Sequence, residues 1–259
     1  MVASLMSALP GSVAQGLIWG ILAIGVYITY KVLDFADLTV DGSLATGGAV
    51  AVMCMLNGAN TYVALILAFL AGMLAGLVTG LFHTALGIPP ILAGILTQLG
   101  LYSINMRIMG KANQAISVMQ YDVLVSLRYI PHACLLTTGF CIVIIALLYW
   151  FFGTEIGASV RATGCNPNMA RAQGINTNAT KVLGLVISNG LVGLAGALYA
   201  QYQGSADINM GRGAIVIGLA AVIIGEVVFG KIFHNFALHM VAVVIGAIIY
   251  FVVIAIVLQ

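Results

Sequence analysis

Charge is what this sequence has least of, since Asp, Glu, Lys and Arg together make up only 6% of its 259 residues. Soluble domains carry about 25% charged residues, so the composition excludes a soluble globular protein. The formal net charge of +2 is too small to indicate a nucleic acid as a partner. Hydrophobic residues instead make up 62% of the chain, and its mean hydropathy is +1.15.

The sequence also lacks the motifs of several enzyme and cofactor sites. It contains no G-x-x-x-x-G-K-[ST] loop, so we expect this chain to bind no ATP in that way. Its four cysteines include no CxxC pair and its histidines form no cluster at metal-ligand spacing, which argues against structural disulfides and a metal site. It has no G-x-S-x-G motif and no paired intramembrane aspartates, which argues against an intramembrane protease.

What the chain has is a series of apolar runs near 20 residues, the length with which a helix crosses a bilayer. The sequence therefore predicts an all-α polytopic membrane protein, with residues 1–259 in a single transmembrane domain. Its N-terminus lacks the basic region of a cleaved signal peptide, so we expect the first span to stay. The 31 glycines indicate closely packed helices. About eight hydrophobic segments are expected: Val13–Leu33, Ser43–Leu56, Tyr62–His83, Pro90–Met109, Pro131–Phe152, Lys181–Tyr202, Gly213–Phe229 and Phe236–Leu258.

Two of these segments, Ser43–Leu56 and Gly213–Phe229, are short for a full crossing. Each follows a long span, and an aspartate and a glycine turn precede it. Matching short helices in two inverted halves are typical of transporters, so we expect an inverted repeat here. The alternative is chance similarity within a sequence rich in glycine and alanine. The residues predicted to start the two half-helices are Asp37, Asp41, Gly42, Asp207 and Gly213.

One long polar segment, residues 153–181, interrupts the apolar sequence. Within it, Asn166 is a good N-cap, Pro167 fits the first helical position and Gly174 supplies a stop. These signals predict a short helix, Pro167–Gln173, which could not be stable alone. Such a helix between two spans suggests a docking element for a cytoplasmic partner, and an ordinary cytoplasmic loop is the alternative.

Orientation is only weakly indicated. With the loop 153–181 on the cytoplasmic side, the basic residues divide almost equally between the two sides, and Arg212 falls outside. The loop's own basic residues and its helix therefore carry the assignment. Near the inner end of the seventh segment, Glu226 and Lys231 are expected to form a local ion pair.

Polar residues within spans are costly and often functional, so they are the candidates for a substrate pathway. Helix–helix hydrogen bonding is the alternative for the serine and asparagine of the sixth segment, and interfacial anchoring for the tyrosines. The candidates are Ser103, Asn105, Ser188, Asn189, Tyr199 and Tyr202. Two glycine rows, one starting at Gly72 and one at Gly190, are expected to pack inside the protomer, with a dimer seam as the alternative.

The chain ends in an apolar run from Val241 to Leu258, after which only Gln259 follows. A terminal span normally has a polar anchor beyond it. We therefore expect that a natural C-terminal segment follows Gln259.

Several motifs together resemble one family of permeases. The stretch G-x-N-P-N-M-A-R-A-Q-G-I-N-T-N, from Gly164 to Asn178, precedes a helix L-V-I-S-N-G-L-V-G-L-A-G-A-L. This pair resembles the permeases of branched-chain amino acid and ribose-type ABC importers. F-A-D-L-T-V-D-G-S, I-P-P-I-L-A-G-I-L-T and Y-S-I-N-M-R-I-M-G-K are similar to a branch linked to aromatic amino acid uptake. The sequence departs from the family's D-L-S-V-G-S motif by the extra aspartate Asp41.

The resemblance implies the permease domain of a type II-like ABC importer in the bacterial cytoplasmic membrane. The implied partners are a second permease chain, two ATPase subunits, an extracellular or periplasmic binding protein and membrane lipid. We expect the second permease to be an identical copy, and a different permease is the alternative. ATP and Mg²⁺ are then bound by the ATPases, and this chain carries no cofactor and is not an enzyme. The implied coupling residues are Asn166, Pro167, Asn168, Met169, Arg171, Gln173 and Gly174.

The resemblance points to an amino acid, aromatic or branched-chain, as the substrate. Ribose or a nucleoside is one alternative. An ion-coupled secondary transporter is another, and it would place a carboxylate or histidine deep in the bundle, where the sequence indicates none. A channel would need neither an ATPase nor a coupling helix.

Overall fold

The computed structural model describes residues 2–117, 121, 123–230, 232–233 and 235–258. Within them, seven helices are long and apolar enough to cross a membrane, and α9 is a shorter apolar helix, so the eight predicted segments are confirmed. A π-helical turn, Ile28–Val32, extends α1. The elements are α1 (Val2–Tyr27), α2 (Thr39–Leu56), α3 (Thr61–Thr84), α4 (Pro90–Met109), β1 (Asn113–Ala115), α5 (Ile130–Gly153), α6 (Glu155–Cys165), α7 (Pro167–Ala172), α8 (Thr177–Gln203), β2 (Ser205–Asp207), α9 (Ala214–Phe229) and α10 (Phe236–Val257).

The two ends of the helix bundle differ in what caps them. At one end, the inner end, α6 and α7 lie between α5 and α8, and Thr163 Oγ1 and Thr180 Oγ1 share a hydrogen bond of 2.9 Å. The inner ends of α1 and α9 meet there too, where Lys31 Nζ lies 3.3 Å from Glu226 Oε2. At the outer end, β1 and β2 pair antiparallel and join the end of α4 to the end of α8.

Helices α2 and α9 begin beside each other in the middle of the bundle. Ser43, near the start of α2, donates a hydrogen bond of 2.6 Å to Oδ1 of Asn189, which lies midway along α8. Asp41 accepts hydrogen bonds of 3.0 and 2.9 Å from the backbone N–H groups of Gly213 and Ile215, at the start of α9. From this junction α2 runs to the outer end and α9 to the inner end.

The two halves of the chain are built alike and run in opposite directions. α8 packs against α2 and α3, and α1 packs in the same way against α9 and α10. α1 runs inward and α8 runs outward. Asp37 Oδ1 accepts a hydrogen bond of 2.9 Å from the N–H of Thr39, and Asp207 Oδ1 one of 2.7 Å from that of Asn209. The predicted inverted halves are therefore confirmed, down to the same turn before each half-helix.

Glycine lets the long helices approach until their backbones touch. A Cβ at Gly72 or Gly76 of α3 would overlap the carbonyl oxygen of Asn189 or Leu185 on α8. Gly193, on the facing side of α8, meets Gly72 in the same contact. Both glycine rows thus pack inside the protomer, as expected.

Some predicted boundaries were wrong, and one predicted ion pair is not tested. α2 begins at Thr39 rather than Ser43, because the Asp37 side chain caps the N–H of Thr39 and Asp41 fits within the first helical turn. α6 was not predicted; it begins after Thr154, whose hydroxyl accepts a hydrogen bond of 3.3 Å from the N–H of Gly157. The Glu226 carboxylate pairs with Lys31 across α9 and α1, and the expected partner Lys231 lies outside the described residues.

Candidate functional site

Helix α7 has the local structure that its sequence predicts, ending one residue early at Ala172. Asn166 Oδ1 accepts hydrogen bonds of 3.1 Å from the N–H groups of Asn168 and Met169, which would otherwise have no partner in so short a helix. Pro167 is the first helical residue. Gly174 reverses the chain with a φ of +80°, a conformation that favours glycine.

Tertiary contacts fix α7 to the spans on either side. Ala170 is 2% exposed, and Nε of Arg171 donates a hydrogen bond of 2.9 Å to Oγ1 of Thr177, the first residue of α8. Met169 is 63% exposed and faces away from the bundle. The side of α7 that faces away from the bundle therefore presents an apolar side chain on a helix that is held in place. The side chains of Asn168 and Gln173 are also exposed.

A cavity of about 340 Å³, with several charged and polar side chains in its lining, lies between α2, α4 and the connection from β2 to α9. It therefore sits beside the junction of the two half-helices. α4 contributes one face to it, since Gln98, Tyr102 and Asn105 follow at helical spacing. The lining residues are Asp41, Gly42, Ala45, Gln98, Leu99, Tyr102, Asn105, Ile208 and Arg212.

Two polar groups of this cavity lack protein partners among the described residues. Asn105 is 1% exposed, and its Oδ1 is a buried acceptor without a hydrogen bond. Arg212 is exposed and forms no salt bridge there, since the only pair within the described part of the chain joins Lys31 to Glu226. Arg212 lies deeper than an outer loop residue, because Gly211 before it packs against the backbone of Asp41 at the junction, and its assignment to the outer side stays a prediction.

The other residues predicted for a substrate pathway do not line this cavity. Ser188 and Asn189 are fully buried: Ser188 Oγ donates 2.8 Å to the Gly25 carbonyl, and Asn189 joins α8 to α2, which favours the alternative of helix–helix hydrogen bonding. Tyr202 donates a hydrogen bond of 3.0 Å to the Gly11 carbonyl, and Tyr199 packs edge-on against Trp19. Ser103 is exposed on α4. Their pathway role stays a prediction.

A carboxylate does lie deep in the bundle, contrary to the sequence expectation. Asp37 is 2% exposed, and its Oδ2 accepts a hydrogen bond of 2.6 Å from Nδ2 of Asn189. Its depth was not predictable from the sequence, because Asp37 lies in a connection between two spans. In the folded chain this connection lies in the middle of the bundle. One oxygen accepts from Asn189 and the other from the N–H of Thr39, so Asp37 supports the start of α2.

Comparison with known proteins matches this chain to a family. The family described as "Branched-chain amino acid transport system / permease component" matches residues 9–259. A tyrosine transport system permease protein of Clostridioides difficile (strain R20291) is 41% identical over 245 residues, which cover 95% of this chain and 81% of that protein.

Two further relatives differ in how much of the chain they match. The uncharacterized protein RP368 of Rickettsia prowazekii (strain Madrid E) is 37% identical over 259 residues, or 98% of this chain and 90% of that protein. The nucleoside ABC transporter permease protein NupC of Lactococcus lactis subsp. cremoris (strain MG1363) is 37% identical over 91 residues, or 34% and 29%.

Proposed function

We propose that this chain, which belongs to the branched-chain amino acid transport permease family, forms the translocation path of an ATP-driven importer for amino acids. It is a multi-pass protein of a bacterial cell membrane. Its partners in the proposed complex are a second copy of the chain, two ATPase subunits on the inner side and an external binding protein that delivers the substrate.

The geometry of α7 carries this proposal. A channel or an ion-coupled transporter has no use for a short, capped helix held rigidly between two spans with an apolar side chain exposed. A coupling element needs those features, because a movement of the ATPase must reach α6 and α8 without being absorbed by a flexible loop. The Arg171–Thr177 hydrogen bond and the buried Ala170 supply the rigid connection to α8.

An aromatic amino acid is the proposed substrate. The relative named for tyrosine transport matches 95% of this chain at 41% identity, which supports an amino acid over other solutes. A nucleoside remains the second candidate, supported by a permease of that name that matches 34% of the chain. Screening ligands of the partner binding protein by thermal shift separates the two.

The test of coupling uses Met169→Glu in the complex reconstituted with its ATPase and binding protein. The Met169 side chain is 63% exposed, so folding should be kept, within about 0.5 kcal/mol for a surface site. Placing a charge in an apolar groove of the ATPase should abolish substrate-stimulated ATP hydrolysis. Arg171→Glu should do the same, but it also removes the hydrogen bond to Thr177 and is the less clean variant.

The matched control is Leu86→Glu, which changes an equally exposed apolar residue, 66% against 63%, in the inner connection between α3 and α4. Normal transport by Met169→Glu, with the ATPase bound at wild-type affinity, would refute the coupling role of α7. ATP hydrolysis by the purified chain, free of other subunits, would refute the proposal that a separate ATPase subunit hydrolyses the ATP.

A further inference from the structure

The cavity between α2, α4 and the connection from β2 to α9 carries opposite charges on its wall. Asp41 stands at the start of α2, and Arg212 stands just before α9. They form no salt bridge with each other, so the two charges are held apart within one cavity. An ion pair would cancel them, whereas separated charges leave each able to bind a group of opposite sign on a ligand.

Arg212 is costly in this position unless it has a function. Charged side chains at membrane depth are expensive, and those that occur face protein or cavities and mark binding sites or pathways. The guanidinium group offers paired N–H donors that match a carboxylate in bidentate geometry. Since none of the described residues supplies such a carboxylate to Arg212, a ligand carboxylate fits it.

Asn105 gives an independent indication of a ligand. A buried oxygen without a hydrogen bond is rare in folded proteins, because leaving it without a partner costs free energy. Oδ1 of Asn105 is such an oxygen, and Asn105 is one of the residues that line the same cavity. As an acceptor, it requires a donor from the ligand, for which an ammonium group is suitable.

Asp41 can bind a ligand while it holds α9 in place. Each of its carboxylate oxygens accepts one backbone N–H, from Gly213 and from Ile215. An ionised carboxylate has about four acceptor positions, so acceptor capacity remains on the cavity side. Asp41 and Asn105 both line the cavity, so a cation bound there would be attracted by the charge of Asp41.

We infer that this cavity binds the zwitterionic group of a free amino acid, with the α-carboxylate on Arg212 and the α-ammonium on Asp41 and Asn105. The inference rests on the proposed function and assigns a site to its substrate. The apolar and aromatic wall formed by Leu99, Tyr102 and Ile208 would receive the side chain. The volume of about 340 Å³ falls within the range of small-molecule pockets, about 300–1,000 Å³.

The position of the cavity suits a step in transport. It lies beside the start of α2, so a ligand there contacts α2, which runs outward, and Arg212 in the connection that leads into α9, which runs inward. Substrate sites at the junction of discontinuous helices, near the middle of the membrane, are a recurring solution in transporters. A movement transmitted from α7 to α8 reaches α2 directly, because these two helices pack together.

The experiment measures binding of labelled L-tyrosine to the purified permease–ATPase complex without binding protein. Two competitors probe the charges: tyramine lacks the carboxylate, and 3-(4-hydroxyphenyl)propionate lacks the ammonium. The wild-type complex should prefer L-tyrosine over each by about tenfold or more, as expected for losing one partner of a charge pair. Arg212→Gln should lose the preference over tyramine and keep that over the propionate.

Asn105→Leu supplies a second variant, which changes no charge and tests the other end of the ligand. It should weaken the preference over the propionate and keep the preference over tyramine. Arg107→Gln is the matched control, since Arg107 is an exposed arginine in the last turn of α4 that does not line the cavity. This control should bind all three compounds as the wild type does.

The outcomes separate the site from the proposed function. If the wild-type complex takes up no amino acid in proteoliposomes, the proposed function fails. If it takes up L-tyrosine but does not bind it without the binding protein, or if Arg212→Gln and Asn105→Leu keep both preferences, the cavity is not the site and the proposed function stands. Arg212→Lys should retain part of the preference over tyramine, because it keeps the charge and loses the bidentate geometry.

Discussion

Asp37 is a buried carboxylate that no cation neutralises among the described residues. It accepts hydrogen bonds from the N–H of Thr39 and from Nδ2 of Asn189. The Oδ1 of the same asparagine accepts a hydrogen bond from Ser43. Asn189 thus connects the start of α2 to the middle of α8 through both ends of its amide. Removing this amide leaves a buried carboxylate oxygen and a buried hydroxyl without partners.

We therefore expect Asn189→Leu to lower the stability of the detergent-solubilised protein by about 3 kcal/mol, the scale for losing one partner of a buried charged group. Thermal unfolding followed by a thiol-reactive dye measures the effect. Asn178→Leu, at an exposed position near the start of α8, should leave the melting temperature unchanged. Equal melting temperatures for the two variants would show that Asn189 does not support the helix start.

Asn189 and Arg212 show which properties of single residues could not be predicted from the sequence. The polar character and depth of Asn189 were predictable, because it stands within an apolar run. Its partner was not, since Asp37 lies far away in the chain and resembles a residue of a loop between two spans. The position of Arg212 at the junction of α2 and α9 was likewise not predictable, because counting charges assigns a side of the membrane and not a depth. Only three-dimensional packing reveals such pairs.

Among the elements, α3 and α8 depend most on glycine. A Cβ at Gly76 would overlap the Leu185 carbonyl oxygen, and backbone atoms cannot move aside without separating the helices. Gly100 in α4 is the opposite case, because a Cβ there meets nothing within 4 Å. The two glycines have the same propensity cost in a helix but differ in what surrounds them.

Gly76→Ala should accordingly destabilise the protein by roughly 1–3 kcal/mol, as overpacking does in cores. Gly100→Ala should be neutral or stabilise by up to about 1 kcal/mol through helix propensity. Melting temperatures in one detergent compare the variants directly. A Gly76→Ala protein as stable as Gly100→Ala would mean that α3 and α8 do not touch in the membrane.

Element prediction succeeded where local signals were strong. Cap, proline and glycine fixed α7 at Asn166, Pro167 and Gly174, and hydropathy placed the eight apolar helices. It failed for α6, whose Thr154 cap was available but whose alanine, serine and glycine composition lacks an apolar stripe. The start of α2 was missed because an aspartate beside a glycine is typical of a break, whereas Asp41 lies in the first helical turn and caps α9.

At the scale of the whole molecule, the two halves exchange partners. α8 packs on the second and third helices of the first half, and α1 packs on those of the second. Asp41 strengthens this exchange, because a residue of the first half-helix caps the second. The duplicated motifs predicted two inverted halves, but only the structure reveals that each half supplies the long helix of the other.

This arrangement places the two ends of the bundle on opposite sides of the membrane, which cysteine labelling can test. Cys165 is exposed at the inner end, directly before α7, while the other three cysteines are buried or half-buried. With the inner end in the cytoplasm, a membrane-impermeant maleimide should label Cys165 in inside-out vesicles and not in intact cells. Mass spectrometry of the purified protein locates and counts the label.

A second position gives the reverse result if the topology is right. Lys111 is exposed just after α4, at the outer end beside β1. In a Cys165→Ser background, Lys111→Cys should be labelled in intact cells, because α3 and α4 form a complete hairpin between the outer end of α2 and this residue. Labelling of Cys165 from outside, or of Lys111→Cys only from inside, would show that the protein has the opposite orientation. Helix α7 would then lie on the side of the membrane where no ATP is available.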